Sequence, residues 1–291
     1  MSVPVPAGST PRVVAITGAG RGIGLATARA LYATGARVVI GDIDLETAEA
    51  AAAGLGERAA AARVDVADGG SFAAFVATAE AAFGPLDVLI NNAGIMPIGP
   101  YLQESEQTAQ RAVDINIMGC LNGMRCALPG MLARGRGHIV NVASIAGKSP
   151  VPGGLTYAAT KAAVVSATES ARVEYAGTGL HFTCVMPSFT NTELIAGTKG
   201  TRFVKNVEPE DVANAIVAAI ARPTPDVYVP KLVGTIAKTQ PLIGRRVRDA
   251  LNRAIKADRT FLEVDQAARA GYDKRIGAVP ATPQLQPGDE D

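Results

Sequence analysis

The sequence predicts a three-layer α/β fold, a doubly wound parallel sheet between two helical layers, and three observations predict it. Short β-branched runs alternate with longer alanine-rich stretches of helical length along most of the chain. The runs are apolar almost throughout instead of alternating with polar residues, as strands covered on both faces must be, and parallel neighbours need crossovers that the intervening stretches supply. With 291 residues, 48% hydrophobic and 19% charged, the chain has material for one large core and is not natively disordered.

The first strand is expected at RVVAIT, residues 12–17, and it runs into Thr17-Gly18-Ala19-Gly20-Arg21-Gly22-Ile23-Gly24 ahead of a helix over 22–34. Glycines at a strand-to-helix turn tolerate positive φ and let the backbone approach a diphosphate, whose charge meets the free N–H groups and dipole of the helix start. The second strand, ARVVIGD at 36–42, ends in Asp42, 18 residues after Gly24. A carboxylate there accepts both ribose hydroxyls of an adenosine and repels a 2′-phosphate, which favours NAD over NADP. Arg21 competes with that reading, because a guanidinium in the glycine loop can pair with a 2′-phosphate. A helix over 45–55 follows, then a third strand at AARVDV, 61–66. Asp65-Val66 at its end offers a carboxylate to an adenine amino group, or an ordinary acid for the start of the next helix at 69–83. The fourth strand, LDVLINN at 86–92, leads into Asn91-Asn92-Ala93-Gly94, small and amide residues suited to close passage of a cofactor or to simple turn chemistry. This is a Rossmann-type architecture.

A long helix is expected over 107–134, a fifth strand at GHIVNVAS, 137–144, a helix over 155–177, a sixth strand at LHFTCVMP, 180–187, a helix over 209–221 and a last strand at DVYVP, 226–230. The polar stretch 191–207 reads as a mobile lid over a substrate.

The ordered set TGAGRGIG at 17–24, Asp42, Asp65, NNAG at 91–94, Asn116, Ser144, Tyr157-Ala-Ala-Thr-Lys161 and Pro187-Ser188-Phe189-Thr190 resembles the short-chain dehydrogenase/reductase family over about residues 11–230. The resemblance implies a nicotinamide cofactor held by Gly18, Gly20, Arg21, Gly22, Ile23 and Gly24, by Asp42, Asp65 and Val66, and by Asn92, Ala93 and Gly94. Tyr157, Lys161, Pro187 and Thr190 would complete that site. It implies four catalytic residues. Tyr157 is the general acid/base; Lys161, one helical turn on, lowers the phenol's pKa and bonds the nicotinamide ribose. Ser144 steadies the developing alkoxide, and Asn116 holds a water linking Lys161 to solvent. Ser188 stands where the family often has glycine. No metal is required.

The expected activity is interconversion of a secondary alcohol and a ketone with NAD, on a small hydrophobic substrate. An NADPH-dependent reductase of 3-oxoacyl carriers and a non-catalytic dinucleotide-binding regulator are the alternatives. A net charge of +1 argues against a nucleic-acid partner. Cys120, Cys126 and Cys184, with His138 and His181 far away, support neither a disulfide framework nor a zinc site, and a reducing cytoplasm fits. Neither a signal peptide nor a membrane span is expected, since the first residues lack a charged stretch followed by an apolar one and the first apolar run, 13–16, is far short of a span. The long helices at 107–134 and 155–177 carry apolar residues on more than one face, which suits a homodimer or homotetramer.

Beyond residue 230 the composition changes: residues 231–259 hold eight basic side chains against two acidic ones. Leu242, Ile243, Val247, Leu251 and Ile255 give this segment an amphipathic spacing that Arg269, Tyr272 and Arg275 extend to residue 276. Docking on the protein's own surface, an anionic membrane surface and an anionic acyl carrier are its three readings. The tail, 277–291, is expected to be disordered.

Overall fold

The computed structural model describes residues 12–198, 206–239, 244–254 and 259–280. Seven strands form one parallel sheet in the order β3-β2-β1-β4-β5-β6-β7, with β1 Val13–Thr17, β2 Arg37–Asp42, β3 Ala59–Arg63, β4 Val88–Asn91, β5 Gly137–Val142, β6 Leu180–Pro187 and β7 Asp226–Val229. The chain winds outward from β1 to β3, returns, and winds the other way from β4. The reversal between β1 and β4 opens a crevice at the carboxyl ends of those strands, where ligands of open α/β sheets bind.

The helices are α1 Gly22–Ala33, α2 Leu45–Ala53, α3 Gly69–Phe83, α4 Glu106–Val113, α5 Gly119–Ala133, α6 Leu155–Glu174, α7 Pro209–Ala221, α8 Lys231–Thr239, α9 Arg245–Ala254 and α10 Gln266–Ile276. They start where side chains can satisfy free backbone donors: Asp44 accepts from Thr47 N, Asp68 from Gly70 N, Ser105 from Thr108 N, and Asp265 from both Ala267 N and Ala268 N. Each face of the sheet has its own apolar core. Val39, Leu89 and Ile139 point to one, with Phe72 and Phe75 in edge-to-face contact; Val38, Ile40, Ile90 and Val140 point to the other, against α1, α2 and α7. Among the described residues no helix is long and apolar enough to cross a membrane.

Two expectations need correction. The third strand lies at Ala59–Arg63, two residues early, because its pairing with β2 runs out at Asp42, the last residue of that strand, and just beyond Asp65 turns its carboxylate to Ala67 N. The helix expected over 107–134 is two helices, α4 and α5, joined by a π turn at Asp114–Met118 that contains Asn116. The segment after residue 230 forms α8, α9 and α10; Leu242, Ile243 and Ile255 lie outside the described residues, as do residues 199–205 of the expected lid and 281–291 of the tail.

Of the tail, residues 277–280 are ordered. Gly277 closes α10 in a left-handed conformation, and Val279 exchanges hydrogen bonds with the Thr108 hydroxyl at the start of α4.

Candidate active site

The carboxyl edge of the sheet opens into a cleft of about 920 Å³. Gly18, Arg21, Gly22, Ile23, Asp42, Asp65, Val66, Asn92, Ala93, Gly94, Ser144, Tyr157, Lys161, Pro187 and Thr190 all line it. Gly20, Gly24 and Asn116 do not line it and act from behind. Gly24 shows why: a Cβ there would sit 2.4 Å from Gly18 O and 2.7 Å from the Asn92 amide nitrogen, so only glycine lets the helix start pack on its own loop. Gly18 takes φ +61°, and a Cβ there would come within 2.8 Å of Ala93 Cα.

The loop is held by amides and hydroxyls that composition alone does not reveal. Asn92 Nδ2 donates to Thr17 O and Gly18 O, while the Thr17 hydroxyl accepts from Asn92 N and Ala93 N. Asn91 turns inward instead, donating to Asn141 Oδ1, which places it in the core rather than the cleft.

Asp42 is buried and accepts from Gly20 N at 3.0 Å. Arg21 reaches across to Asp44 at 3.0 Å and to the Thr47 hydroxyl at 2.9 Å. Its charge therefore meets a second carboxylate that sequence reasoning overlooked. The place of Asp44 as the cap before an alanine-rich helix is legible in the sequence, but its pairing with Arg21 is not. Thr47 bonds and the Arg21 charge hold the Asp44 carboxyl below its ordinary value.

Ser144 follows β5 and opens a short 3₁₀ turn, accepting from Ala146 N and donating to Pro187 O. Tyr157 lies in the first turn of α6, within hydrogen-bonding reach of Ser144. Lys161, one turn further, donates to Val142 O at 2.9 Å with its nitrogen 5.8 Å from the Tyr157 ring centre. Burial dominates both groups: it pushes the Tyr157 phenol up to about 12, against which the Ser144 hydrogen bond acts, and pushes Lys161 down to about 8. In the protein alone the lysine amine donates to the backbone of β5 and shares the phenol's dry surroundings.

Asn116 is built into the frame behind the lysine. Its amide is committed to Ile95, accepting from the N–H at 2.8 Å and donating to the carbonyl at 2.9 Å, and to the Thr160 hydroxyl. It holds the strand-to-loop backbone beside Lys161; a Cβ on Gly94 would lie 3.1 Å from its Oδ1 and 3.3 Å from the lysine nitrogen.

The remaining residues singled out in the sequence surround this frame. Thr190 donates to Ser188 O, and the Ser188 hydroxyl is buried without a hydrogen-bond partner among the described residues. Cys120 and Cys184 are core residues pushed up to about 12 by burial. His138 is buried against the Thr183 hydroxyl at the amino end of the sheet, and burial first, with His181 and Arg12 beside it, pushes it down to about 3. Residues 191–198 are not a free lid: Arg275 pairs with Glu193, and Arg269 bonds Leu194 O and Ala196 O. Arg269 and Tyr272, which extend the amphipathic spacing of the preceding segment, are buried and face inward.

A dinucleotide fits this cleft by the chemistry of its donors and by a glycine cradle that side chains would fill. The profile of the short chain dehydrogenase family matches residues 12–202, and those residues carry every element of the cradle and the Ser144, Tyr157 and Lys161 group. The chain belongs to the short-chain dehydrogenase family. It is an NAD(P)-dependent oxidoreductase of that family. Cis-4-hydroxycyclohexanecarboxylate dehydrogenase of Sinomonas cyclohexanicum is 41% identical over 218 residues, 70% of this chain and 87% of that enzyme. Glycine betaine reductase ATRR of Emericella nidulans is 35% identical over 233 residues, 76% of this chain but 18% of that much longer protein. A crystal structure of 3-ketoacyl-(acyl-carrier-protein) reductase from Brucella melitensis, complexed with NADH, superimposes with a TM-score of 0.69 at 28% identity, covering 75% of this chain and 96% of that one.

Proposed function

We propose that this short-chain dehydrogenase interconverts a secondary alcohol and a ketone with NAD, acting on a substrate with a hydrophobic body. The observation that carries the reading is Tyr157, buried beside Ser144 at the cleft edge with Lys161 one turn behind. The cofactor supplies or takes the hydride at the nicotinamide ring. Tyr157 gives its phenolic proton to the carbonyl oxygen in reduction and takes the hydroxyl proton in oxidation. Ser144 supports the same oxygen as charge develops on it. Because burial holds the phenol up to about 12, Tyr157 is a proton donor at neutral pH, and oxidation gains speed as pH rises.

The preference for NAD rests on Asp42 and Asp44 together. Two carboxylates face the ribose end of the cleft, and the cation that would welcome a 2′-phosphate, Arg21, is paired with one of them. The apolar lining at the other end, Met96, Phe189, Leu194, Phe261 and Ile276, supports a hydrophobic substrate. The cis-4-hydroxycyclohexanecarboxylate dehydrogenase relative is in keeping with a cyclic secondary alcohol. The NADPH-dependent 3-oxoacyl carrier reductase reading draws on the Brucella structure's title, and Arg21's pairing speaks against it. Exposed Leu155 and Val173 on α6 support association of copies through that helix. Free cysteines accord with a reducing compartment.

The test is turnover of a panel of secondary alcohols and cyclic ketones, followed by nicotinamide absorbance, in the parent and in Tyr157→Phe. The variant should lose about a hundred- to ten-thousandfold in rate while binding NADH as the parent does. Retained turnover would remove Tyr157 from its role.

A further inference from the structure

The family match ends at residue 202, yet the substrate end of the cleft is walled partly by residues from 259–280: Phe261, Tyr272, Arg275 and Ile276. Phe261 stacks on Phe189, ring centres 5.3 Å apart, and belongs to the same apolar cluster as Met96 and Tyr157. A late segment of the chain thus packs against the catalytic tyrosine.

Arg269, on α10, is fully buried. A buried guanidinium is costly unless its charge and donors are met. Nη1 donates to Leu194 O at 3.0 Å and Ala196 O at 3.2 Å, Nη2 donates to Met96 O, and Nε stands 3.0 Å from Asp273 Oδ1. The three carbonyls belong to two separate loops, one after β4 and one after β6. Neighbouring bonds repeat the pattern. The Tyr272 hydroxyl accepts from Met96 N at 2.9 Å, and Asp265 N donates to Gly197 O at 2.9 Å.

We propose that Arg269 is a positioning residue that latches residues 259–280 over both loops, and so shapes the compartment receiving the apolar body of the substrate. It touches neither the reacting atoms nor the nucleotide end. The proposal rests on the oxidoreductase reading for its kinetic consequence but not for the latch itself. The planar fork of arginine serves diverging carbonyls and a carboxylate at once, which the single nitrogen of lysine does not.

The experiment uses the full chain as Arg269→Lys and Arg269→Met, with Tyr272→Phe as a milder variant that removes only the acceptor for Met96 N. Assayed with NAD on 2-butanol and 2-decanol, the Arg269 variants should raise KM for 2-decanol about tenfold and leave kcat for 2-butanol within about twofold. NADH affinity by fluorescence should not change. Amide hydrogen exchange at Met96 and Asp265 should quicken while β1 and β4 stay protected. Tyr272→Phe should move the same quantities less, and it carries the test if the Arg269 variants do not fold. Equal losses on both alcohols, a fall in NADH affinity, or unaltered exchange at Met96 and Asp265 would overturn the latch. A parent that binds NADH but oxidises neither alcohol sinks the functional reading, and the exchange result then decides the latch alone.

Discussion

The nucleotide end and the substrate end of the cleft are built from different kinds of material. At the nucleotide end, consecutive residues of one turn, Gly18 to Gly24, pack closely on one another and on Ala93, and a few short side chains at neighbouring strand ends, Thr17, Asn92 and Asp42, hold them. At the substrate end, side chains from loops after β4 and β6 meet a segment from the far end of the chain, tied by Arg269, Tyr272 and the Arg275–Glu193 pair. The first is set by close approach that admits no Cβ; the second is set by long polar side chains reaching across gaps. A methyl group should therefore damage the first severely, whereas the second should yield only when a specific donor is removed.

The largest effect expected from that contrast is for Gly24→Ala. Its Cβ would meet backbone and an amide at 2.4–2.7 Å, so the loop must shift. NADH affinity should fall about a hundredfold and stability by about 1–3 kcal/mol, read by fluorescence titration and urea unfolding. Unchanged NADH affinity would show that the two ends differ less than their construction implies.

Between the ends lies the Tyr157 and Lys161 pair, which sharpens the comparison through pH. Lys161 sits at about 8 in the folded chain against an ordinary 10.5, so between those values the unfolded chain holds a proton that the folded chain has lost. Stability then rises with pH across that window. Tyr157, at about 12 against an ordinary 10.0, works oppositely: above pH 10 the folded chain keeps a proton the unfolded chain releases, and stability falls towards pH 12. Lys161→Met should flatten the rise between pH 8 and 10.5 by up to about 3 kcal/mol, measured by urea unfolding at several pH values. Parallel pH slopes in parent and variant would mean that the amine is hydrated in the folded state.

The smallest effect concerns selectivity within the nucleotide end. Asp44→Ala frees Arg21 and removes one carboxylate from the ribose side, so the affinity ratio of NADPH to NADH should rise about tenfold in paired titrations. A constant ratio would leave Asp42 as the sole discriminator.

The same contrast explains what was legible in the sequence. The strands and the glycine turn could be read because period and spacing are local properties, whereas Ser144, Tyr157 and Lys161 stood out as a group only through the resemblance to the short-chain dehydrogenase family. Asp44 escaped because its role depends on which way Arg21 points, and nothing in the spacing states that. The bonds of Arg269 and Tyr272 were not legible, since residue type alone cannot distinguish a solvated arginine from one whose donors meet carbonyls more than seventy residues away in sequence. The π turn escaped as well. Asp114–Met118 carries ordinary helix-compatible residues, and the widened turn is maintained by Asn116 bonding Ile95 and Thr160.

That widened turn ties spacing along the chain to rotation about a helix axis. One residue in an α-helix corresponds to about 100° of rotation. The i→i+5 bonding of the π turn absorbs one extra residue, so the sheet-facing stripe of α5, with Cys120, Met124 and Met131, stays in phase with the buried face of α4, Thr108 and Ala112. Taking that residue out should leave one regular cylinder with its stripe in place, whereas adding another should turn the stripe away from the strands it covers, so a gain of length here should be far harder to accommodate than a substitution.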